Sequence, residues 1–391
     1  MRLQRPQRSL LVLFVVVAMV LTACATEGGG SDTTETPTET QAPDTTSAPE
    51  TTEAPDTTEA GETDTTEGGL ETDDAAQQVS RTEGDLCVYT DYNGGLEHVD
   101  LQNALVGFAQ SEREANPFRI AETESIKAEA DRLGIELITT NAESDLNKEI
   151  SDIQSMVDQG ADALIISPLN SEGLDPALDY AKEAGVPIMT IDRLLTTKEA
   201  CVDYIGWVGS DFVEQGRRAA DAMVRETGGE ANVAILLGAP GVNVTTDRND
   251  GFLERLDEVD HNLNIVAQQA ANYERALGQT VTEQLITSNP EIDAIYAHND
   301  EMALGAVAAL QAAGYAPGEV AIITIDGTQG AVQGIIDGWI SGVIESNPRF
   351  GPLAFRALDL FYNGEGVPEV TIISDKEYTT DNAEAELDNA Y

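Results

Sequence analysis

Basic residues are scarce in this chain: 21 Lys and Arg stand against 70 Asp and Glu, a formal net charge of −49 over 391 residues. A surface this acidic repels nucleic-acid phosphates, which excludes nucleic acid as a partner. Histidine is rarer still. His98, His261 and His298 are the whole supply, and with no metal-ligand cluster and no nucleophile elbow, neither a metal, a cofactor nor an enzyme is expected. Cysteine is limited to Cys24, Cys87 and Cys201. One long apolar run is present, and it lies at the very start.

That run, SLLVLFVVVAMVLTA, follows Arg2, Arg5 and Arg8. Its length suits the core of a signal peptide and is short for a membrane span, so residues 1–23 are read as a targeting segment of an exported chain. It ends in LTAC, which resembles the bacterial lipobox. The resemblance implies a lipoprotein, with Cys24 acylated, exposed as the mature N-terminus and anchored to the outer side of the cell membrane; an ordinary secretory peptide with an incidental cysteine is the alternative. Residues 24–80 are rich in Thr, Glu, Asp and Pro, with no Lys or Arg between Arg8 and Arg81. They lack the apolar surface to offset ordering and are read as a disordered, self-repelling tether. In an exported chain the two remaining cysteines, Cys87 and Cys201, either form one disulfide or stay as unpaired buried thiols.

From about Asp85 to Tyr391 short Val- and Ile-rich runs alternate with helical stretches: ALVGFA, GIELITT, ADALIISP, VPIMTID, NVAILLG, IDAIYAHND, VAIITIDG and others. Continuous apolar strands between amphipathic helices predict α/β architecture with parallel sheets covered on both faces. The helices stop at glycines such as Gly160, Gly185 and Gly314, which can take the left-handed cap conformation. About ten strands exceed what one open sheet of this length carries, so two doubly wound domains are expected.

Ligands of open parallel sheets bind beyond the carboxyl ends of the strands. There the chain places Asp192-Arg193, Asn299-Asp300, Asp326, and Glu345 with Asn347; the first strand leads into SEREANPFRIAE, which holds Glu114, Asn116, Phe118 and Arg119, and Arg248 opens another helix. Planar carboxylates, amides and guanidinium groups hold neighbouring hydroxyls bidentately while an aromatic ring covers a C–H face, so this mixture suits a sugar. Each residue also has a plainer role. Asp192 or Asp326 can serve as a turn former or helix cap, Arg119 and Arg248 as surface charges, Phe118 and Tyr273 as core. Four polar strand ends together favour a site.

The motifs NPFRIAETESIKAEA, IDR, TTDRNDGF, YAHNDEMALGA, IDGTQGAVQGIIDG and ESNPRFGP, in that order, resemble the type I periplasmic sugar-binding proteins of ABC importers, in the ribose- and galactofuranose-binding group. The resemblance implies two doubly wound parallel-sheet lobes joined by three crossover segments, which close on a monosaccharide and hand it to permease subunits, with a monomer as the expected state. It places an N-terminal lobe at 104–209 and 347–374, a C-terminal lobe at 210–346 and 375–391, and an unmatched N-terminal extension at 81–103. By position it assigns Asn116, Phe118, Arg119, Asp192, Arg193, Arg248, Tyr273, Asn299, Asp326 and Asn347 to the ligand. The Phe-Arg pair at 118–119 sits closer to the galactofuranose type than to pentose binders.

Other functions of such a fold are weighed against the sequence. A sugar-responsive repressor would carry a helix-turn-helix where this chain has a signal and a tether. A glycosidase using Asp192 and Asp326 lacks supporting catalytic groups. A sugar-sensing partner for chemotaxis or a sensor kinase uses the same fold and stays open as the alternative to import.

Overall fold

The computed structural model describes residues 79–391. The expected signal peptide, Cys24 and the tether as far as residue 78 lie outside those residues. The described residues begin with β1 (Val79–Cys87), β2 (Leu105–Gln110), α1 (Pro117–Leu133), β3 (Glu136–Asn141), α2 (Leu146–Asp158), β4 (Ala163–Ser167), α3 (Asp175–Ala184), β5 (Ile188–Ile191) and β6 (Gly206–Gly209). It continues through α4 (Phe212–Thr227), β7 (Glu230–Leu237), α5 (Asn243–Glu258), β8 (Asn262–Ala270), α6 (Arg275–Ser288), β9 (Ala294–Ala297), α7 (Asp300–Ala313) and β10 (Ala321–Asp326). The last elements are α8 (Gln329–Ile336), β11 (Gly342–Glu345), α9 (Gly351–Asn363), β12 (Val367–Ile373), β13 (Glu377–Tyr378) and α10 (Ala383–Glu386).

Two sheets result, one of seven strands in the order β1-β12-β6-β5-β4-β2-β3 and one of six in the order β13-β11-β10-β9-β7-β8. All pairings within them are parallel except those of β1 with β12 and β11 with β13. The expected two-lobed α/β architecture is therefore present. Central strands β4, β5, β9 and β11 are buried along their whole length, as a sheet covered on both faces requires. The chain passes between lobes three times, at residues 210–211, 346–350 and 374–376, because α9 and β12 return to the first sheet before β13 joins the second.

The stretch 81–103, read as an N-terminal extension unmatched by the family, contributes most of β1. Its start at Val79 also takes two residues from the segment read as tether. Most of β1 is exposed, so neither propensity nor alternation marks it; backbone pairing with the edge of β12 makes it a strand. Its last residue, Cys87, is bridged to Cys201 in the loop before β6, with Cα atoms 5.3 Å apart.

Helix caps fix where the site-bearing helices begin. The side chain of Asn116 accepts from Phe118 N, Asp211 from Glu214 N, Asn299 from Met302 N and Thr328 from Ala331 N. In the second lobe α4 and α5 lie with their backbones in close approach. A Cβ on Gly216 would sit 2.3 Å from the Arg248 carbonyl oxygen, and one on Gly251 would sit 2.1 Å from that of Val213, so only glycine permits this crossing.

Candidate functional site

Parallel register aligns the carboxyl ends of β2, β5, β9 and β10, and the two lobes present these ends to each other. Between them lies a cavity lined by Glu112, Asn116, Phe118, Arg119, Asp192, Arg193, Val244, Arg248, Tyr273, Asn299 and Asp326. Nine of the ten residues assigned to a ligand from sequence come together here. Asn347 does not: it sits in the second crossing segment, where its Oδ1 accepts from Arg349 N at 3.0 Å and its N–H donates to Asp375 at 3.2 Å. Glu345 braces the neighbouring strand, accepting from Lys376 N and from the Tyr378 hydroxyl, and Glu114 is exposed outside the cavity.

In the first lobe Arg119 is nearly fully buried and all its nitrogens are engaged. Its Nε donates to Glu112 at 2.8 Å, its Nη1 to Glu122 at 2.9 Å and Ser167 at 3.0 Å, and its Nη2 pairs with Asp192 at 2.7 Å. Arg193 donates through Nη2 to Glu112 at 2.8 Å and through Nη1 to the Leu169 carbonyl at 2.6 Å. The adjacent charges Asp192 and Arg193 approach only to 3.9 Å. Each turns instead to a partner from another element, and buried Arg193 Nε makes no hydrogen bond among the described residues.

Glu112, which the sequence reading passed over, therefore joins the two guanidinium groups. Burial alone would raise its carboxyl, but Arg193 and Arg119 together outweigh that and hold it at about 2. Arg119 is held well above its ordinary value: burial works against the charge, and Glu122, Asp192 and Glu112 more than offset it. The signal for Glu112 was available, since it lies two residues beyond β2, at the same kind of strand end that drew attention to Asp192.

In the second lobe Arg248 projects from α5, donating through Nε to Gln215 at 2.9 Å, through Nη1 to the His298 carbonyl at 2.6 Å, and through Nη2 toward Asp326 at 3.5 Å. Gln215 in turn donates to the Glu345 carbonyl at the end of β11 and to Asp375, so the arginine is tied to the third crossing. Burial, with the like charges of Asp300 and Asp192, pushes the Asp326 carboxyl well up against the opposing pull of Arg248. Asp300 shapes the turn behind it, its Oδ2 accepting from Gly327 N, Thr328 N and Thr328 Oγ1. Tyr273 is fixed by a 2.7 Å hydrogen bond between its hydroxyl and that of Thr245, and Asn299 donates to the Tyr273 carbonyl at 3.4 Å.

Asp192, Tyr273 and Asp326 have φ of 62°, 65° and 137°. Non-glycine residues at positive φ cost energy that the surrounding fold must offset, and three of the eight among the described residues line this one cavity. Phe118 belongs to both readings made of it: it lines the cavity, and it packs edge-on against Phe350 and Tyr391 in the first-lobe core. Arg119 stacks over its ring at 5.0 Å.

Residues 106–365 match the family described as periplasmic binding protein domain. The chain is 36% identical over 253 residues, 64% of its length and 80% of the other's, to the ribose import binding protein of Bacillus subtilis. It is 32% identical over 289 residues, 72% of its length and 90% of the other's, to the galactofuranose-binding protein of Escherichia coli. Among solved structures, a Mycobacterium smegmatis protein in complex with β-D-fucofuranose superposes with a TM-score of 0.69 at 35% identity, covering 73% of this chain and 94% of that one.

Proposed function

The chain belongs to the periplasmic binding protein domain family, and from that membership we propose that it is a lipid-anchored, extracytoplasmic receptor that captures a monosaccharide between its lobes and delivers it to an ABC permease. In this reading the lobes are residues 104–209 with 347–374 and residues 210–346 with 375–391, β1 adds an edge to the first, Cys24 carries the lipid, and the working form is a monomer. The ligand is a neutral sugar of the furanose or pentose class that the relatives' names describe.

The observation that carries the reading is the charge balance of the cavity. Arg119 and Arg193 are met by Glu112, Glu122 and Asp192, and Arg248 by Asp326. No guanidinium is left over to pair with a phosphate or carboxylate, so an anionic ligand gains nothing there, whereas hydroxyls can donate to the carboxylates and accept from the arginine and Asn299 N–H groups. A sugar lacking one such hydroxyl would leave a buried donor or acceptor without its hydrogen bond, which gives the site steep discrimination. Closure needs only that ligand contacts favour the closed arrangement of two lobes on three crossings.

Thermal denaturation of the full chain against pentoses, hexoses, furanosides and sugar alcohols tests this. One or two sugars should raise the midpoint sharply, and Asp192→Asn should abolish the rise while leaving a folded protein; a flat panel overturns the reading. Fatty-acid labelling in cells, compared with Cys24→Ala, tests the anchor, and label that survives the substitution overturns that part.

A further inference from the structure

Helix α5 carries Arg248, yet the residue before it, Val242, offers no side-chain cap. The cap comes from the other lobe. The first N–H of the helix, that of Asn243, donates to Ser171 Oγ at 2.9 Å, and Ser171 N–H donates to the Gly241 carbonyl at 3.3 Å. Asn243 reciprocates across the gap: its Oδ1 accepts from Leu194 N at 3.1 Å and from Ser171 Oγ at 3.4 Å, while its Nδ2 donates to Asp247 at 2.8 Å. Val242 and Val244, on either side, are buried in a cluster with Leu174 and Leu195 of the first lobe.

We infer that Ser171 and Asn243 form a latch between the lobes, in which the first lobe caps a helix of the second, and that they are positioning residues for ligand capture. Leu194 directly follows Arg193, and Arg248 lies little more than one turn beyond Asn243. The latch therefore fixes the distance between the guanidinium groups that the two lobes contribute to the cavity. Separation of the lobes strips the cap and exposes the Asn243 and Leu194 amides to water, so these contacts stabilise the closed arrangement alone. Neither residue lines the cavity. They act through closure, and losing them speeds the escape of ligand without altering what it touches. The inference rests on the reading that the cavity takes a sugar.

The test uses the full chain, its Ser171→Ala and Asn243→Ala variants, and D-ribose, L-arabinose, D-galactose and myo-inositol as probes. Stopped-flow dissociation of whichever probe binds should be roughly fivefold faster in each variant, the usual effect of a lost helix cap. The two substitutions together should add less than the product of their separate effects. Denaturation midpoints without sugar should stay unmoved, which a merely structural role would not allow, and Ser171→Thr should restore the slow rate. Amide hydrogen exchange at Asn243 and Leu194 should slow on sugar addition in the wild type and less so in the variants. Unchanged dissociation and exchange in variants that still bind sugar overturn the latch and leave the sugar reading standing. If no probe binds the wild type, the sugar reading fails and cross-linking judges the latch: a disulfide that forms under mild oxidation between Ser171→Cys and Asn243→Cys supports it, and the absence of any cross-link overturns it.

Discussion

Glu112 accepts from Arg119 through one oxygen and from Arg193 through the other, two guanidinium groups brought from a helix start and a strand end. Replacing it with Gln keeps the shape but leaves two buried cations short of a carboxylate. A charge-assisted hydrogen bond is worth about 2 kcal/mol, so Glu112→Gln should weaken sugar binding by roughly thirtyfold in titration calorimetry. An affinity within twofold of wild type would remove Glu112 from the site. The strand-end rule reaches Glu112 but does not separate it from Glu114, because SEREAN offers two acidic side chains two positions apart and the fold around Arg119 selects one of them. Asp192, Arg193, Asn299 and Asp326 were legible because parallel strands end in register, so a one-dimensional rule finds a three-dimensional edge. Asn347 shows the reverse. A crossing segment is irregular backbone whose own N–H groups need partners, and the Asn347 amide oxygen is taken up by Arg349 N.

The doubly wound sheets were readable as elements because strands such as β4 and β5 are apolar throughout and their helices stop at glycine. β1 was not, because its polar, exposed sequence acquires strand geometry only from β12, a partner far along the chain. What holds this edge strand is the covalent bond at its end. The Cys87–Cys201 bridge spans 114 positions, and closing a loop of that order removes unfolded-state entropy worth about 2–5 kcal/mol in practice. The double Ser variant should lose roughly that much stability in urea unfolding, with faster exchange of the β1 amides and sugar affinity unaltered. An unchanged urea midpoint would mean that β1 needs no staple. Neither cysteine lines the cavity, so this prediction separates stability from binding.

At the scale of the whole molecule, acidity is also an interior property. Burial raises the carboxyl of Glu149 to about 8, with the Leu169 N–H and the charges of Arg193 and Arg119 only partly opposing it, and burial raises Asp300 to about 7 and Asp375 to about 6. A carboxyl whose folded value lies above its unfolded one binds more protons in the folded chain. Its contribution is fully present below the ordinary value of about 4.5 and is lost as the pH climbs through the folded value. Glu112 works in the opposite sense, but its window lies lower: held at about 2, its contribution is full above about 4.5 and disappears only as the pH falls toward 2. The two sets leave a maximum of stability on the acid side of neutrality. Unfolding free energy should therefore fall from pH 5 toward 8, at up to about 1.4 kcal/mol per pH unit for each proton difference. Glu149 is fully buried with both oxygens near one N–H donor, at 3.3 and 3.2 Å, so Glu149→Gln keeps the acceptor and removes the titration. Urea unfolding of this variant should show a shallower fall between pH 5 and 8 and a higher stability than wild type at pH 8, and a profile parallel to wild type would place the pH dependence elsewhere in the acidic interior.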